Sequence, residues 1–181
     1  MQFIKTEIED VIIIEPKVHE DERGYFYESF RQDKLDEFLG YKINFIQDNE
    51  SKSSYGTLRG LHFQLPPQAQ TKLVRVIEGE VLDIAVDIRK NSPTFGKYIS
   101  LILSDKNRKQ LLIPHGFAHG FITLSNEAIF SYKVDNYYSP QHDRGIAYND
   151  PDIDINWMIM SDDIILSKKD KTQPLLKDFY E

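Results

Sequence analysis

Gly56-Thr-Leu-Arg-Gly-Leu-His-Phe-Gln64, continued through Lys72 to Gly79, reads as a strand, a short Pro-rich loop and a second strand ending at a turn. Alternation along the first strand puts His62 and Gln64 on one face. Arg59 then falls on the opposite face unless a bulge or loop re-aims it. The stretch gathers an imidazole, a guanidinium and the Lys72 ammonium in a chain with only five histidines. Proton transfer next to a bound anion is the chemistry such a group suits. The bland alternative for His62 is a core histidine satisfied by hydrogen bonds. The company of Arg59, Lys72 and a later motif histidine, His119, favours function, whereas His119 taken alone reads equally well as structural.

Working outward, the chain reads as strand after strand. Val11–Ile14, Tyr25–Phe30, Ile43–Asp48, Arg59–Gln64, Lys72–Glu78, Val81–Asp87, Lys97–Leu103, Gln110–Ile113, Ala118–Thr123 and Ala128–Lys133 are short β-type runs separated by turn residues. Leu82, Ile84, Val86 and Ile88 share one parity, the expected core face of a half-buried strand. Glu50–Gly56 reads as a polar loop. Arg31–Leu39 carries Leu35, Phe38 and Leu39 at helical spacing before Gly40, a helix with its stop signal. The region from Asp150-Pro151 onward is less regular, with a short helix expected after Ser167, and is expected to wrap the strands. Many short strands with frequent turns predict a sandwich or jelly roll. No repeat or linker interrupts it, so 1–181 reads as a single domain.

Composition limits what such a domain does. The 181 residues are 40% hydrophobic and 12% aromatic, enough for a real core. Lys and Arg number 22 against 29 Asp and Glu, a net charge of −7 that speaks against nucleic acid or an anionic membrane as partner. An anionic substrate needs a local basic pocket, which Arg59, Lys72 and Arg75 could form. No cysteine is present, which excludes disulfides, thiolate metal sites and a Cys nucleophile. The N-terminus lacks a signal-peptide pattern and no apolar run approaches about 18 residues. A cytoplasmic location is the default expectation.

Gly56-x5-His62-x-Gln64 with Lys72-x6-Gly79 resembles the first cupin motif, and Pro114-His-Gly-Phe-Ala-His119 resembles the second. Metal cupins hold their ion with two histidines one residue apart, a glutamate and a later histidine. Here Gln64 replaces the second histidine and Lys72 the glutamate, and an ammonium repels a divalent cation. The fold signal survives while the metal site is dismantled. Tyr132, on the parity of Ala128 and Phe130, is expected to face inward, as core or as acid. Tyr137-Tyr138 suit stacking on a flat ring at the barrel mouth. Asp21-x-Arg23-Gly24 reads equally as a plain turn or as a source of ligand contacts. His19, His115 and His142 are assigned no chemistry.

Arg59-Gly-Leu-His-Phe-Gln64, Gln68-Ala-Gln-Thr-Lys-Leu-Val-Arg75, Ile113–Phe121, Asp143–Pro151, Asp21–Phe26 and Leu166-Ser-Lys-Lys-Asp170 together resemble the dTDP-4-dehydrorhamnose 3,5-epimerase family over nearly the whole chain. The resemblance implies a mainly β, metal-free cupin jelly roll (double-stranded β-helix) with a short N-terminal helix and a C-terminal wrapping segment. It implies no cofactor, a homodimer, and inversion at C3 and C5 of a dTDP-4-keto-6-deoxyhexose on the way to dTDP-L-rhamnose. The family's base falls on His62 with Asp170 behind it, its acid on Tyr132, and the lysine near the 4-keto oxygen on Lys72. Its ligand contacts fall on Arg23, Phe26, Glu28, Gln47, Asn49, Arg59, His119, Tyr138 and Asp143. The first three of these come from the partner subunit. Asp143 stands where many members have Glu. A one-centre C3 epimerase, an epimerase of a differently based nucleotide sugar, a metal cupin oxygenase and a non-catalytic sugar-binding cupin are the rivals.

Overall fold

The computed structural model describes residues 1–179. Its strands are β1 (Gln2–Lys5), β2 (Ile12–Glu15), β3 (His19–Asp21), β4 (Gly24–Phe26), β5 (Gln47–Ser54), β6 (Leu58–Gln64), β7 (Lys72–Glu78), β8 (Glu80–Asp87), β9 (Tyr98–Ser104), β10 (Gln110–Ile113), β11 (Phe117–Thr123), β12 (Glu127–Val134) and β13 (Asp143–Gly145). Two helices, α1 (Gln32–Leu39) and α2 (Leu176–Phe179), and two 3-10 turns, Ser161–Asp163 and Asp170–Thr172, complete it. One antiparallel sheet runs β1-β2-β10-β7-β12-β5, a second runs β13-β6-β11-β8-β9, and β3 and β4 form a separate hairpin. No described helix is long and apolar enough to cross a membrane.

The inner faces of the two sheets meet in a core that includes Val74, Val76, Phe130 and Leu111 from one and Val81, Ala85, Leu103 and Phe121 from the other. Burying such side chains contributes about 1.5–3 kcal/mol each. Each sheet is also covered on its outside. Ile12, Ile14, Leu73 and Leu112 pack against Leu35 and Ile43 of the segment around α1. Leu58, Leu82, Ile84, Val86 and Ile122 pack against Ile146, Ile153, Trp157 and Leu176. The C-terminal segment therefore wraps the second sheet, as expected. That wrap makes Leu82, Ile84, Val86 and Ile88 a core face, as expected, but β8 is buried on both faces rather than one. Leu82, Ile84, Val86 and Ile88 face the covering segment, and the opposite parity, with Val81, Asp83 and Ala85, faces the barrel interior.

Helix α1 ends as anticipated: Gly40 is left-handed at φ 76°, and its N–H donates to the Asp36 carbonyl at 2.9 Å. Two strand assignments shift. The run predicted over Tyr25–Phe30 stops at Phe26, and the chain beyond it is pinned across the first sheet. Arg75 Nη1 donates to Tyr27 Oη at 3.0 Å and Gln110 Nε2 to the Ser29 carbonyl at 2.7 Å. The supposed strand Ile43–Asp48 and loop Glu50–Gly56 are replaced by β5, which pairs with β12 from Gln47 to Ser54. No residue of β5 is apolar, so hydrophobic alternation cannot reveal it. Burial alternates nonetheless, with Gln47, Asn49, Ser51 and Ser53 the less exposed set.

Candidate active site

Seven residues named from sequence line one cavity of about 380 Å³ between the sheets: Asn49, Arg59, His62, Lys72, His119, Tyr132 and Asp170. Glu50, Ser51, Phe121, Phe130, Ser167 and Lys169 complete the wall. A larger hollow of about 610 Å³ lies between Glu7–Asp10 and Arg89–Thr94. There Arg89 is fixed by Asp10 and Asp87, so size alone does not mark the site.

The parity of Arg59 is resolved by a bulge. On β11, His119 pairs with His62 and Phe121 with Arg59, so β6 carries one extra residue between its two partners. Arg59 is thereby turned to the side of His62. Gly60 makes this possible: at φ +140° a side chain is strained, and a Cβ there would sit 2.5 Å from the Gly120 Cα. Arg59 donates from Nε to Ser53 Oγ at 3.0 Å and from Nη2 to the Lys52 carbonyl at 3.3 Å. The rest of its fork is left to grip an anion.

His62 and Asp170, 108 positions apart, meet at 2.5 Å between Nε2 and Oδ1. Asp170 is only 4% exposed. Ser167 Oγ donates to its other oxygen at 2.8 Å, and the Asp170 backbone N–H donates back to Ser167 Oγ at 3.1 Å. Burial pushes the Asp170 carboxyl up, but hydrogen bonds from His62 and Ser167 outweigh it and leave it below its ordinary value. It stays an anion that orients the imidazole.

Lys72, 8% exposed, donates from Nζ to the His62 carbonyl at 3.3 Å. Burial lowers its pKa to about 8, against the pull of Asp83 and Asp143. Tyr132 does face inward, beside Phe130 at 6.2 Å between ring centroids, and burial raises its pKa. It is therefore a protonated phenol at neutral pH. His119 is buried, with Nε2 2.9 Å from Asp83 Oδ2, and burial pushes its pKa down.

Gln47, Tyr138 and Asp143 stand at the rim. Gln47 donates to Asn49 Oδ1 at 2.8 Å and accepts the Tyr138 N–H at 3.1 Å. Tyr138 Oη donates to Asp143 Oδ2 at 3.0 Å, and Lys169 Nζ donates to the same oxygen. Gln64 has turned structural: its Nε2 donates to the Gln68 and Tyr137 carbonyls and its Oε1 accepts from the Ser139 N–H, bracing the mouth loop. The chain does not bring Arg23, Phe26 and Glu28 to this cavity. The Arg23 side chain is 83% exposed and paired with Asp21, Phe26 is 70% exposed, and Glu28 pairs with Arg31. The unassigned histidines His115 and His142 bond Asp135 and Ser139.

Sequence reading passed over Ser167, Lys169 and Asp83. The spacing Ser167-x-x-Asp170 is a capping pattern and was a usable signal. Asp83 carried none, because it lies on the parity opposite Leu82, Ile84 and Val86, where an acid on a half-buried strand is ordinary. Lys169 in a polar run carried none.

A profile of the family described as dTDP-4-dehydrorhamnose 3,5-epimerase matches residues 5–178. The chain is 57% identical to the dTDP-4-dehydrorhamnose 3,5-epimerase of Shigella flexneri over 170 residues, covering 94% of this chain and 93% of that one. Its structure superposes with a TM-score of 0.94 on the crystal structure of dTDP-4-dehydrorhamnose 3,5-epimerase from Elizabethkingia anophelis, at 52% identity over 98% of this chain and 97% of the other. A crystal structure of dTDP-6-deoxy-D-glucose-3,5-epimerase from Legionella pneumophila, in complex with dTDP-4-keto-L-rhamnose, gives a TM-score of 0.93 at 49% identity, covering 97% and 93%.

Proposed function

The chain belongs to the dTDP-4-dehydrorhamnose 3,5-epimerase family, and from that premise we propose how its residues divide the work. The protein is an epimerase of dTDP-4-dehydro-6-deoxy-D-glucose, inverting C3 and C5 to give dTDP-4-dehydro-L-rhamnose in dTDP-rhamnose biosynthesis.

The C4 ketone acidifies the C–H bonds at C3 and C5. Neutral His62 takes the proton, and the C–H electron pair moves onto O4 as an enolate. Asp170 holds the imidazole in one tautomer and stabilises the imidazolium that forms. The Lys72 ammonium stabilises the developing charge on O4. Tyr132 returns a proton to carbon from the opposite face. His62 then carries one proton too many and Tyr132 one too few, and exchange with water resets both. Each such proton transfer supplies about 10²–10⁴-fold. Arg59 grips the pyrophosphate, His119 and Asn49 contact the ligand inside, and Tyr138 stacks on the pyrimidine at the rim, with Gln47 and Asp143 holding it there.

The observation that carries this reading is the 2.5 Å His62–Asp170 pair sharing one cavity with Tyr132 and a buried Lys72. The enzyme works as a homodimer in which Arg23, Phe26 and Glu28 complete the neighbour's site. In support, Arg23 and Phe26 stand exposed on the β3–β4 hairpin, away from their own chain's cavity. It works in the cytoplasm, because a doubly charged pyrophosphate ester does not cross hydrocarbon unaided. Turnover in D2O tests the reaction: two solvent deuteriums in the product, at C3 and C5, are expected, and one alone would demote the protein to a single-centre epimerase. Competition between dTDP and GDP for the site tests the base, with dTDP expected to displace substrate and GDP not.

A further inference from the structure

Strand β8 carries an acid where its neighbours are core residues. Asp83 shares the inward face with Val81 and Ala85 and is fully buried. Its Oδ2 accepts from His119 Nε2 at 2.9 Å, while its Oδ1 has no hydrogen-bond partner among the described residues. A buried carboxylate with one neutral donor is costly unless a cation offsets it. Lys72 is that cation. It shares the cavity with Glu50 from β5, Arg59 and His62 from β6, His119 from β11, Tyr132 from β12 and Lys169 and Asp170 of the C-terminal segment, and the two acids whose charge acts on it are Asp83 from β8 and Asp143 from β13. Of the two acids, Asp143 is already engaged by Lys169 and Tyr138 at the rim. Asp83 has His119 alone, which burial keeps neutral.

We propose that Asp83 is a positioning residue for the epimerisation, its carboxylate keeping Lys72 charged beneath the substrate's C4 oxygen and fixing His119 in the tautomer with hydrogen on Nε2. Asp83 touches neither substrate nor reacting atoms; it acts through the two side chains that do. The charge balance gives it a specific signature. Burial of Lys72 favours loss of its proton, and Asp83 opposes that loss more than any other group. Removing the carboxylate's charge while keeping its shape therefore lowers the pH at which Lys72 becomes neutral.

This inference rests on Lys72 acting as the charged group proposed above. The first experiment is the pH profile of kcat/KM for Asp83→Asn. Its alkaline limb is expected to move down by about one to three pH units. A limb that stays in place while kcat falls equally at every pH overturns the proposal. The second experiment needs no turnover: thermal melts of the unmodified enzyme, Asp83→Asn, Lys72→Met and the double variant. Lys72→Met strands the carboxylate, so the double variant is expected to melt above Lys72→Met alone. Losses that simply add overturn the coupling. Should Asp83→Asn alone fail to fold, folding of the double variant supports the coupling, and failure of both refutes it. A shifted melt without a shifted pH limb would retain the Asp83–Lys72 pair and remove Lys72 from the chemistry, which separates the two readings.

Discussion

Asp170 is buried, ionised and bonded to His62 on one oxygen and Ser167 on the other. Asp170→Asn keeps the shape but replaces the acceptor that fixes the imidazole. We expect kcat to fall about 10²–10⁴-fold with dTDP binding intact, checked by steady-state kinetics beside calorimetric titration. Lys72 predicts a pH effect with a defined sign. It is charged below about pH 8 in the folded protein, against an ordinary 10.5 in the unfolded chain. From about 8 to 10.5 the folded state therefore holds fewer protons than the unfolded state, so this group's contribution to stability rises with pH. The activity that depends on its charge falls over the same window. A kcat/KM profile declining above about pH 8, in protein whose melting temperature is not declining for this reason, is the expected result.

Among the strands, β5 and β6 show what was legible and what was not. The His62 strand, the hairpin at Gly79, α1 with its Gly40 stop and the inward Tyr132 all follow from local pattern, because each is set by alternation or turn chemistry. β5 escaped because its less exposed face is Gln47, Asn49, Ser51 and Ser53. A strand whose inner face lines a polar cavity has no apolar period to detect. β8 reads as half-buried in sequence but is buried on both faces, because a covering segment far along the chain closes over its outer side. The turn of Arg59 toward His62 depends on a bulge that only the pairing with β11 discloses. That bulge yields a test. Gly60→Ala forces a side chain into φ +140° against the Gly120 backbone. The strain costs about 1–3 kcal/mol and the relief of it re-aims Arg59. Chemical denaturation should report the loss, and affinity for dTDP should fall with it.

In the whole molecule, two sheets clasp the cavity and two outer layers stiffen them, while the hairpin bearing Arg23 and Phe26 stands exposed. The pairing of His62 with Asp170 spans most of the chain and arises only when the C-terminal wrap is in place, so no local pattern predicts it; the family resemblance supplied it. If the hairpin completes a neighbour's site, two damaged chains can repair each other. In a mixed dimer of Arg23→Ala and His62→Ala, one site receives both lesions and the other receives neither. Co-refolded chains are expected to regain activity that neither homodimer shows. Mixtures no more active than the separate variants would mean that each chain works alone.

What all of this presumes is an imidazole and a phenol acting on opposite faces of one sugar ring. Tyr132→Phe turning over dTDP-4-dehydro-6-deoxy-D-glucose in D2O, followed by proton NMR, separates their roles. His62 still removes protons in this variant, so deuterium should enter the substrate at C3 or C5 with configuration retained and with no dTDP-4-dehydro-L-rhamnose formed. Inverted product appearing at a near-normal rate would show that some other group delivers the proton, and Tyr132 would leave the mechanism.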